Sequence, residues 1–299
     1  MTERGIAFMI GTGRCGSSLL HEVLARHPGV GFLSNVEDNF AVAAPAGRWN
    51  RVVYQSVPPR FTQKGRARFA PSEGYRAIDR DVSPLISTPV RDLTADDATP
   101  WLAERFRRFF EERARTQRAP VFVHKFTGWP RVGFVHAVFP DARFIHVVRD
   151  GRAVASSLLQ MDWWKGAAGP EGWGFGPLPE PYAAEWDASG RSFALLAGLE
   201  WKVLIDASEA ARQTVPASNW LEVRYEDVVA DPETGFRKML EFLDLPWSDA
   251  FAAGLARHRF DLSALTRWQT DLDARSIRLL NDSLGPHLER RGYAVEPAG

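Results

Sequence analysis

The stretch 8–20 constrains the fold more than any other part of this 299-residue chain. It reads FMIGTGRCGSSLL, a glycine-rich loop between an apolar strand at 6–10 and a helix that begins at Ser17 or Ser18. The first backbone amides of a helix have no partner within the helix and carry a partial positive charge. This order of strand, loop and helix therefore predicts an anion site, and a phosphate is the expected guest.

The spacing within this loop distinguishes between kinds of nucleotide. Gly11, Gly16 and Ser18 match the loop that binds nucleoside triphosphates, but Ser17 occupies the position of its lysine. That lysine reaches the β- and γ-phosphates, and Arg14 is the only cation that this loop offers instead. We therefore expect a nucleotide with one phosphate at its 5′ end rather than ATP. A tight turn that binds no ligand is the alternative.

Composition excludes several other classes of protein. Lys plus Arg and Asp plus Glu both total 37, so net charge gives no reason to expect nucleic acid or an anionic membrane as a partner. The single cysteine, Cys15, excludes an internal disulfide framework and favours a reducing compartment. We see no secretory leader and no run of about 20 apolar residues that would span a membrane. The expected location is the cytoplasm.

Strand and helix patterns alternate over the first two thirds of the chain. This alternation predicts an α/β fold in one domain, 1–299, with a P-loop-like parallel sheet of about five strands, helices on both faces and a helical C-terminal part. Two stretches with little periodicity, 41–100 and 162–186, are predicted to be irregular lid or acceptor loops. The expected strands lie at 6–10, 30–33, 121–123, 143–148 and 220–223.

Polar side chains follow several of these predicted strands. Arg14, Lys125, Arg149 and Tyr225 are each expected just beyond a strand end. Ligands of open parallel sheets bind at the carboxyl ends of the strands. The four residues therefore point to one shared site.

Four segments of the sequence resemble those of sulfotransferases that use 3′-phosphoadenosine 5′-phosphosulfate (PAPS), and the resemblance is nearest to the tyrosylprotein and bacterial branches. They are GTGRCGSSLL, FIHVVRDGRAVASSL, VRYEDVVADPE and ALTRW, in family order along almost the whole chain. The first resembles the 5′-phosphosulfate loop, with arginine where cytosolic enzymes have lysine. The second resembles the 3′-phosphate motif.

The resemblance implies a role for each matching residue. Arg14 and the loop that follows it, Cys15, Gly16, Ser17 and Ser18, would hold the 5′-phosphosulfate. Arg149 and Ser157 would bind the 3′-phosphate, Tyr225 would pack beside the adenine, and Arg267 would supply a further cation. Lys125 lies as far before Arg149 as the family's second active-site lysine lies before its arginine, which would place it across the sulfuryl group. For Arg149, a pair with Asp150 is the structural alternative.

The implied reaction is in-line transfer of the sulfuryl group to a hydroxyl of a carbohydrate, lipid or other small molecule, with adenosine 3′,5′-bisphosphate (PAP) as product. Such a transfer needs charge stabilisation and alignment, for which we assign Arg14 and Lys125, and it needs no metal. A P-loop kinase and a catalytically inactive nucleotide-binding relative are the alternatives.

The general base is harder to assign, because both familiar positions are substituted. The glutamate position of the tyrosylprotein branch is Asn35, and the histidine position of cytosolic enzymes is Thr127. Glu37 is the candidate that we prefer, with Asp38 and His124 as alternatives.

Two further groups of residues are candidates for contacts with the acceptor or nucleotide. Aromatic residues in 162–186 suit sugar rings or apolar chains, although a place in the core is an equal alternative. Basic residues in 41–100 are candidates to close over an anion, although a solvated loop is the simpler interpretation. These residues are Trp163, Trp164, Trp173 and Phe175 in the first group, and Arg60, Lys64, Arg66 and Arg68 in the second.

Overall fold

A five-stranded parallel sheet forms the centre of the protein. The computed structural model describes residues 5–40, 47–57 and 69–295. The strand order is β2-β3-β1-β4-β5, and every neighbouring pair is parallel. This confirms the predicted α/β fold. The strands are β1 (Gly5–Gly11), β2 (Val30–Gly31), β3 (Val121–Thr127), β4 (Arg143–Val148) and β5 (Trp220–Arg224).

Helices pack on both faces of this sheet, as the alternating pattern predicts. Short 3-10 turns occur at Ala95–Asp97, Lys165–Ala168 and Ala217–Asn219. The helices are α1 (Ser17–Leu24), α2 (Asn35–Asn39), α3 (Asn50–Ser56), α4 (Tyr75–Asp81), α5 (Pro84–Ser87), α6 (Pro100–Gln117), α7 (Val132–Val138), α8 (Gly151–Leu159), α9 (Glu180–Ala188), α10 (Phe193–Arg212), α11 (Tyr225–Ala230), α12 (Pro232–Phe242), α13 (Asp249–Leu255), α14 (Ser263–Thr266), α15 (Trp268–Asp271) and α16 (Ala274–Glu289).

Strand β1 divides the core into two layers. Phe8 lies on one face, where its ring is 5.2 Å from that of Phe110 on α6 and 5.7 Å from that of Phe126. Met9 lies on the opposite face and packs with residues of α1 and α12. Successive side chains of a strand point to opposite faces, so β1 anchors both layers at once. The position of the loop after Gly11 is therefore fixed by buried apolar contacts on both sides.

Strand β3 is longer than the sequence pattern indicates. It continues to Thr127 and therefore includes Lys125, which pairs in register with Met9 of β1. The prediction that Lys125 lies beyond the strand end is wrong, because two buried polar residues interrupt the apolar pattern without interrupting the hydrogen-bonded ladder. Strand β2 is shorter than the predicted 30–33 and ends at Gly31.

The two stretches predicted to be irregular contain several short helices. Stretch 41–100 includes α3, α4 and α5, and its candidate residues Arg60, Lys64, Arg66 and Arg68 lie outside the described residues. Stretch 162–186 contains a 3-10 turn and the start of α9. Trp173 is only 3% exposed and packs in the core, whereas Trp163 is 56% exposed. Across the described ranges, no helix combines the length and the hydropathy needed to cross a bilayer.

Candidate functional site

The glycine loop has the backbone geometry of an anion cradle. Gly16 precedes α1 with a φ of 89°, and Arg14 also has a positive φ, of 63°. A Cβ on Gly16 would lie 2.2 Å from Cδ2 of Tyr225, so the Tyr225 ring packs directly against the loop backbone. Gly16 at the N-cap has no side chain, so it does not occupy the amides at the start of α1 as a capping residue would.

Arg14 is anchored to α8 rather than to a carboxylate. Its Nε donates to Oγ of Ser157 at 2.9 Å. Ser157 therefore joins Arg14 in this structure, whereas the sequence analysis groups it with Arg149. Burial first, and then the positive charge of Arg149, lower the pKa of Arg14, because both disfavour a second charged guanidinium group.

Arg149 follows β4. Among the residues that the structure describes, it donates only to backbone carbonyls, from Nη1 to the oxygen of Arg14 at 3.1 Å and from Nη2 to that of Ala264 at 2.8 Å. Its Nε is buried and has no hydrogen-bond partner among the described residues. The expected alternative, a pair with Asp150, is not formed, because Asp150 binds Arg152 at 2.7 Å. Within the described ranges, Arg149 is thus not neutralised by a carboxylate.

Tyr225 and Arg267 flank Arg149 in different ways. The guanidinium carbon of Arg149 lies 5.0 Å from the centre of the Tyr225 ring, which is itself buried. Arg267 is on the surface and forms an ion pair with Asp261 at 3.2 Å. Its segment still approaches the site through Ala264, whose carbonyl binds Arg149. Tyr225 therefore lies beneath the site, and Arg267 lies at its edge with a competing partner.

Lys125 joins the glycine loop to a carboxylate that the sequence analysis missed. Its Nζ lies 2.6 Å from Oγ of Ser18 and 2.6 Å from Oε1 of Glu73. Burial alone would raise the pKa of Glu73, but Lys125 and hydrogen bonds from Tyr75 and Thr127 lower it overall. Glu73 lies in a stretch without periodicity, so no local pattern could have revealed it.

Glu37, the preferred base of the sequence analysis, lies in a buried ion pair. Oε1 accepts from Nε of Arg113 at 2.7 Å, and Oε2 accepts from Nδ2 of Asn50 at 2.9 Å. The side chain is 3% exposed. Burial raises its pKa more than these two partners lower it. Because both oxygens are occupied and enclosed, this geometry does not suit proton removal from a bound substrate.

The two alternative bases are also occupied or enclosed. Asp38 accepts from Oγ of Ser72 at 3.0 Å and from the amide of Ala77 at 3.0 Å, which fixes the start of α4. His124 is fully buried, with its ring 5.0 Å from Phe110 and 4.7 Å from Phe126, and its nitrogens have no partner in the described ranges. Burial lowers its pKa well below the usual value. The geometry of neither residue suits the removal of a proton from a substrate bound near Lys125.

Cys15 contributes its backbone to the loop, while its thiol is buried beneath it. Burial raises the pKa of this thiol, although hydrogen bonds from Ser17 and the nearby cations oppose the shift. A buried thiol with a raised pKa is a poor nucleophile. Cys15 is therefore a packing residue of the loop.

The aromatic segment contacts the first two residues after β3, Gly128 and Trp129. Phe175 lies against Gly128, where an added Cβ would be 3.2 Å from the ring, and its centroid is 6.0 Å from that of Trp129. The indole nitrogen of Trp129 is buried without a partner within the described residues. Part of the aromatic segment is thus core and part of it borders the site.

Hydrogen-bond donors from two separate segments converge at this site. The uncapped start of α1 and the orphaned Nε of Arg149 are hydrogen-bond donors that an anion would satisfy. Among the described residues, no three His, Cys, Asp or Glu side chains come together as metal ligands.

Curated relatives of the chain include an omega-hydroxy-beta-dihydromenaquinone-9 sulfotransferase of Mycobacterium bovis, 24% identical over 64% of this chain and 46% of the relative. Another is a protein-tyrosine sulfotransferase 1 of Danio rerio, 30% identical over 39% of this chain and 27% of the relative. The matched regions thus span less than half the length of these relatives.

Solved structures and a family model agree on the fold. The sulfotransferase STF9 of Mycobacterium avium aligns with a TM-score of 0.62 at 15% identity, over 100% of this chain and 79% of that one. The sulfotransferase domain from the curacin biosynthetic pathway aligns with a TM-score of 0.54 at 14% identity, over 99% and 100%. The model of the sulfotransferase family matches residues 7–249. Since this match covers most of the sequence, the chain belongs to the sulfotransferase family.

Proposed function

We propose that this protein transfers a sulfuryl group from PAPS to the hydroxyl of a carbohydrate, lipid or other small molecule. The family assignment supports the type of chemistry, and the site described above supports the choice of donor. We propose the cytoplasm as its location, because its only cysteine leaves no internal disulfide to form.

One observation carries this proposal. The backbone carbonyl of Arg14 accepts from Nη1 of Arg149 at 3.1 Å, yet within the described residues neither guanidinium group forms an ion pair with a carboxylate. Two adjacent guanidinium groups with only neutral partners repel each other unless an anion lies between them. A ligand with separate 5′ and 3′ phosphates would relieve that repulsion at both ends.

Each residue of the site then has a definite task. The bound donor supplies the sulfuryl group, with its 5′-phosphate as leaving group. Arg14 and the amides at the start of α1 hold that phosphate and stabilise the charge that develops on it. Lys125, beside Ser18, neutralises the transferred group, and Arg149 fixes the 3′-phosphate in a charge-assisted hydrogen bond.

The acceptor is expected to bind beside the aromatic segment. Phe175 and Trp129 border the end of β3, and Trp163 is exposed nearby in sequence. Flat aromatic side chains suit a sugar ring or an apolar chain. The named relatives act on a menaquinone derivative and on protein tyrosine, so their names cover both lipid and protein acceptors.

Nucleotide binding tests the choice of donor. We expect calorimetric titration to detect tight binding of PAP and negligible binding of ATP or GTP, because Ser17 replaces the lysine that a triphosphate requires. Tight ATP binding without PAP binding would support a kinase instead. Transfer is then tested with radiolabelled PAPS and a panel of hydroxyl acceptors. PAP binding without transfer to any acceptor or to water would identify a catalytically inactive relative.

A further inference from the structure

We propose that Glu73 is the general base of this site and that Lys125 holds it in position. The inference rests on the proposed function, because a hydroxyl that attacks sulfur must lose its proton. It assigns that task to a residue that none of the recognised sequence motifs contains.

The first argument is the position of Glu73. Lys125 contacts the start of α1 through Ser18, and its Nζ also lies 2.6 Å from Oε1 of Glu73. Under the proposed function Lys125 also contacts the transferred sulfuryl group, which would place Glu73 within one side chain of the reacting atoms. A general base must lie within hydrogen-bond reach of the proton that it removes, directly or through one water, and this position of Glu73 is compatible with that requirement.

The second argument is how the backbone around Glu73 is fixed. Residues 70–72 run antiparallel to residues 33–35, through an isolated bridge between Ser34 and Pro71. The amide of Asn35 donates to the carbonyl of Ala70 at 2.9 Å, and the amide of Ser72 donates to that of Leu33 at 2.8 Å. This pairing places Glu73 beside residues 33–35, which follow β2, and next to Lys125 on β3. The backbone just before Glu73 is therefore held by hydrogen bonds to the segment after β2.

The third argument is accessibility and charge. The Glu73 side chain is 27% exposed, whereas that of Glu37 is 3% exposed. Burial would raise the pKa of Glu73, but Lys125, Tyr75 and Thr127 lower it overall, so the carboxylate is in its ionised form. Glu73 is therefore in the protonation state that a base requires, and an incoming hydroxyl can approach its partly exposed side chain. The Glu37 carboxylate is enclosed, so a hydroxyl has no comparable approach to it.

The step balances without any further reactant. The acceptor oxygen forms a bond to sulfur while the bond between sulfur and the oxygen of the nucleotide 5′-phosphate breaks. The electron pair of the broken bond leaves with the phosphate, which Arg14 holds. The proton of the acceptor hydroxyl passes to a carboxylate oxygen of Glu73.

The decisive comparison is between Glu73→Gln and Glu37→Gln, which make the same chemical change at two ion-paired glutamates. With radiolabelled PAPS and test acceptors 2-naphthol and 1-octanol, we expect Glu73→Gln to lower turnover by roughly a hundredfold or more. Its affinity for PAP should be unchanged or tighter, because Lys125 is released. Glu37→Gln should lose stability but keep turnover per folded molecule. Full turnover in Glu73→Gln would overturn the assignment.

A second measurement does not depend on turnover. Carboxyl carbons of glutamate are followed by ¹³C NMR during a pH titration, and the Glu73 signal is assigned from its loss in Glu73→Gln. We expect Glu73 to be ionised at pH 7 in the free protein and with PAP bound, and its pKa to rise in Lys125→Met. A Glu73 side chain that is protonated at pH 7 would exclude the role of base.

Two controls separate the possible failures. Glu73→Asp keeps the carboxylate on a shorter side chain, so it should retain more turnover per folded molecule than Glu73→Gln. This comparison remains valid even if Glu73→Gln folds poorly. If wild-type protein does not bind PAP, the proposed function fails. If it binds PAP and transfers sulfate equally well with and without the Glu73 carboxylate, only the assignment of the base fails.

Discussion

Nε of Arg14 donates to Oγ of Ser157 at 2.9 Å, although 143 positions separate the two residues. The same Arg14 offers its backbone carbonyl to Arg149, eight residues before Ser157. The glycine loop after β1 and the segment after β4 are therefore one structural unit. A substitution in either segment is therefore expected to weaken binding at both predicted phosphate positions.

Ser157→Ala should weaken nucleotide binding although Ser157 carries no charge. The substitution removes the hydrogen-bond acceptor that orients Arg14, a residue whose backbone already has an unfavourable positive φ. A hydrogen bond of this kind is worth about 1 kcal/mol, which is roughly a fivefold loss of affinity for PAP. Calorimetric titration of PAP measures it. Ser156→Ala on the same helix is the control, and equal losses in both variants would contradict the specific role of Ser157.

Arg149→Ala should have a larger effect, because it removes a charged donor. We expect affinity for PAP to fall by about 1.5 to 3 kcal/mol, or roughly 10- to 150-fold. Adenosine 5′-monophosphate, which has no 3′-phosphate, should bind wild type and variant with nearly equal affinity. If the loss is the same for both nucleotides, Arg149 does not contact the 3′-phosphate.

Gly16→Ala should destabilise the loop and the protein together. The new Cβ would lie 2.2 Å from the Tyr225 ring, and alanine disfavours a φ of 89°. Strain of about 1 to 3 kcal/mol corresponds to a melting temperature lower by at least about 2 °C. Gly13→Ala in the same loop is the control, because its nearest neighbour would be Leu158 at 3.8 Å. An unchanged melting temperature for Gly16→Ala would exclude this packing.

Glu200 makes stability depend on pH. It is buried in α10, where it accepts a hydrogen bond from Trp164 at 2.8 Å, and burial raises its pKa from 4.5 to about 7. A raised pKa means that the folded state binds the proton more tightly than the unfolded state. The stabilisation is therefore complete below about pH 4.5 and is lost as pH rises to about 7.

The Glu200→Gln variant tests this dependence. Its free energy of unfolding should exceed that of wild type by an amount that grows by up to about 3 kcal/mol between pH 5 and pH 8. Urea unfolding at several pH values measures the difference. A difference that is independent of pH would show that Glu200 does not titrate with this shifted pKa.

The sequence predicts those parts of the site that depend on local pattern. Residues 8–20 form a contiguous strand, loop and helix, so their geometry follows from short-range rules. Arg14 and Arg149 can be placed together because each follows a buried parallel strand, and the ends of such strands meet at one edge. Both arginines do converge in the structure.

The acid and base groups depend instead on contacts between distant segments. Glu37 is paired with Arg113, 76 residues away, and this contact cannot be read from the loop around it. Glu73 reaches Lys125 only because residues 70–72 pair with the segment after β2. Spacing along the chain could not identify either partner. The aromatic segment was ambiguous for the same reason, since Trp173 is enclosed and Trp163 is not.

His124 and Lys125 are neighbours on β3 that point to opposite faces of the sheet. His124 packs among phenylalanines, while Lys125 contacts Ser18 and Glu73. A shift of β3 by one residue would exchange them, burying an ammonium group in an aromatic core at a large cost in free energy. Misregistered chains would therefore be unstable as well as inactive. The hydrophobic core therefore selects the register of β3. Stable folded molecules are those in which Lys125 lies beside Ser18 and Glu73.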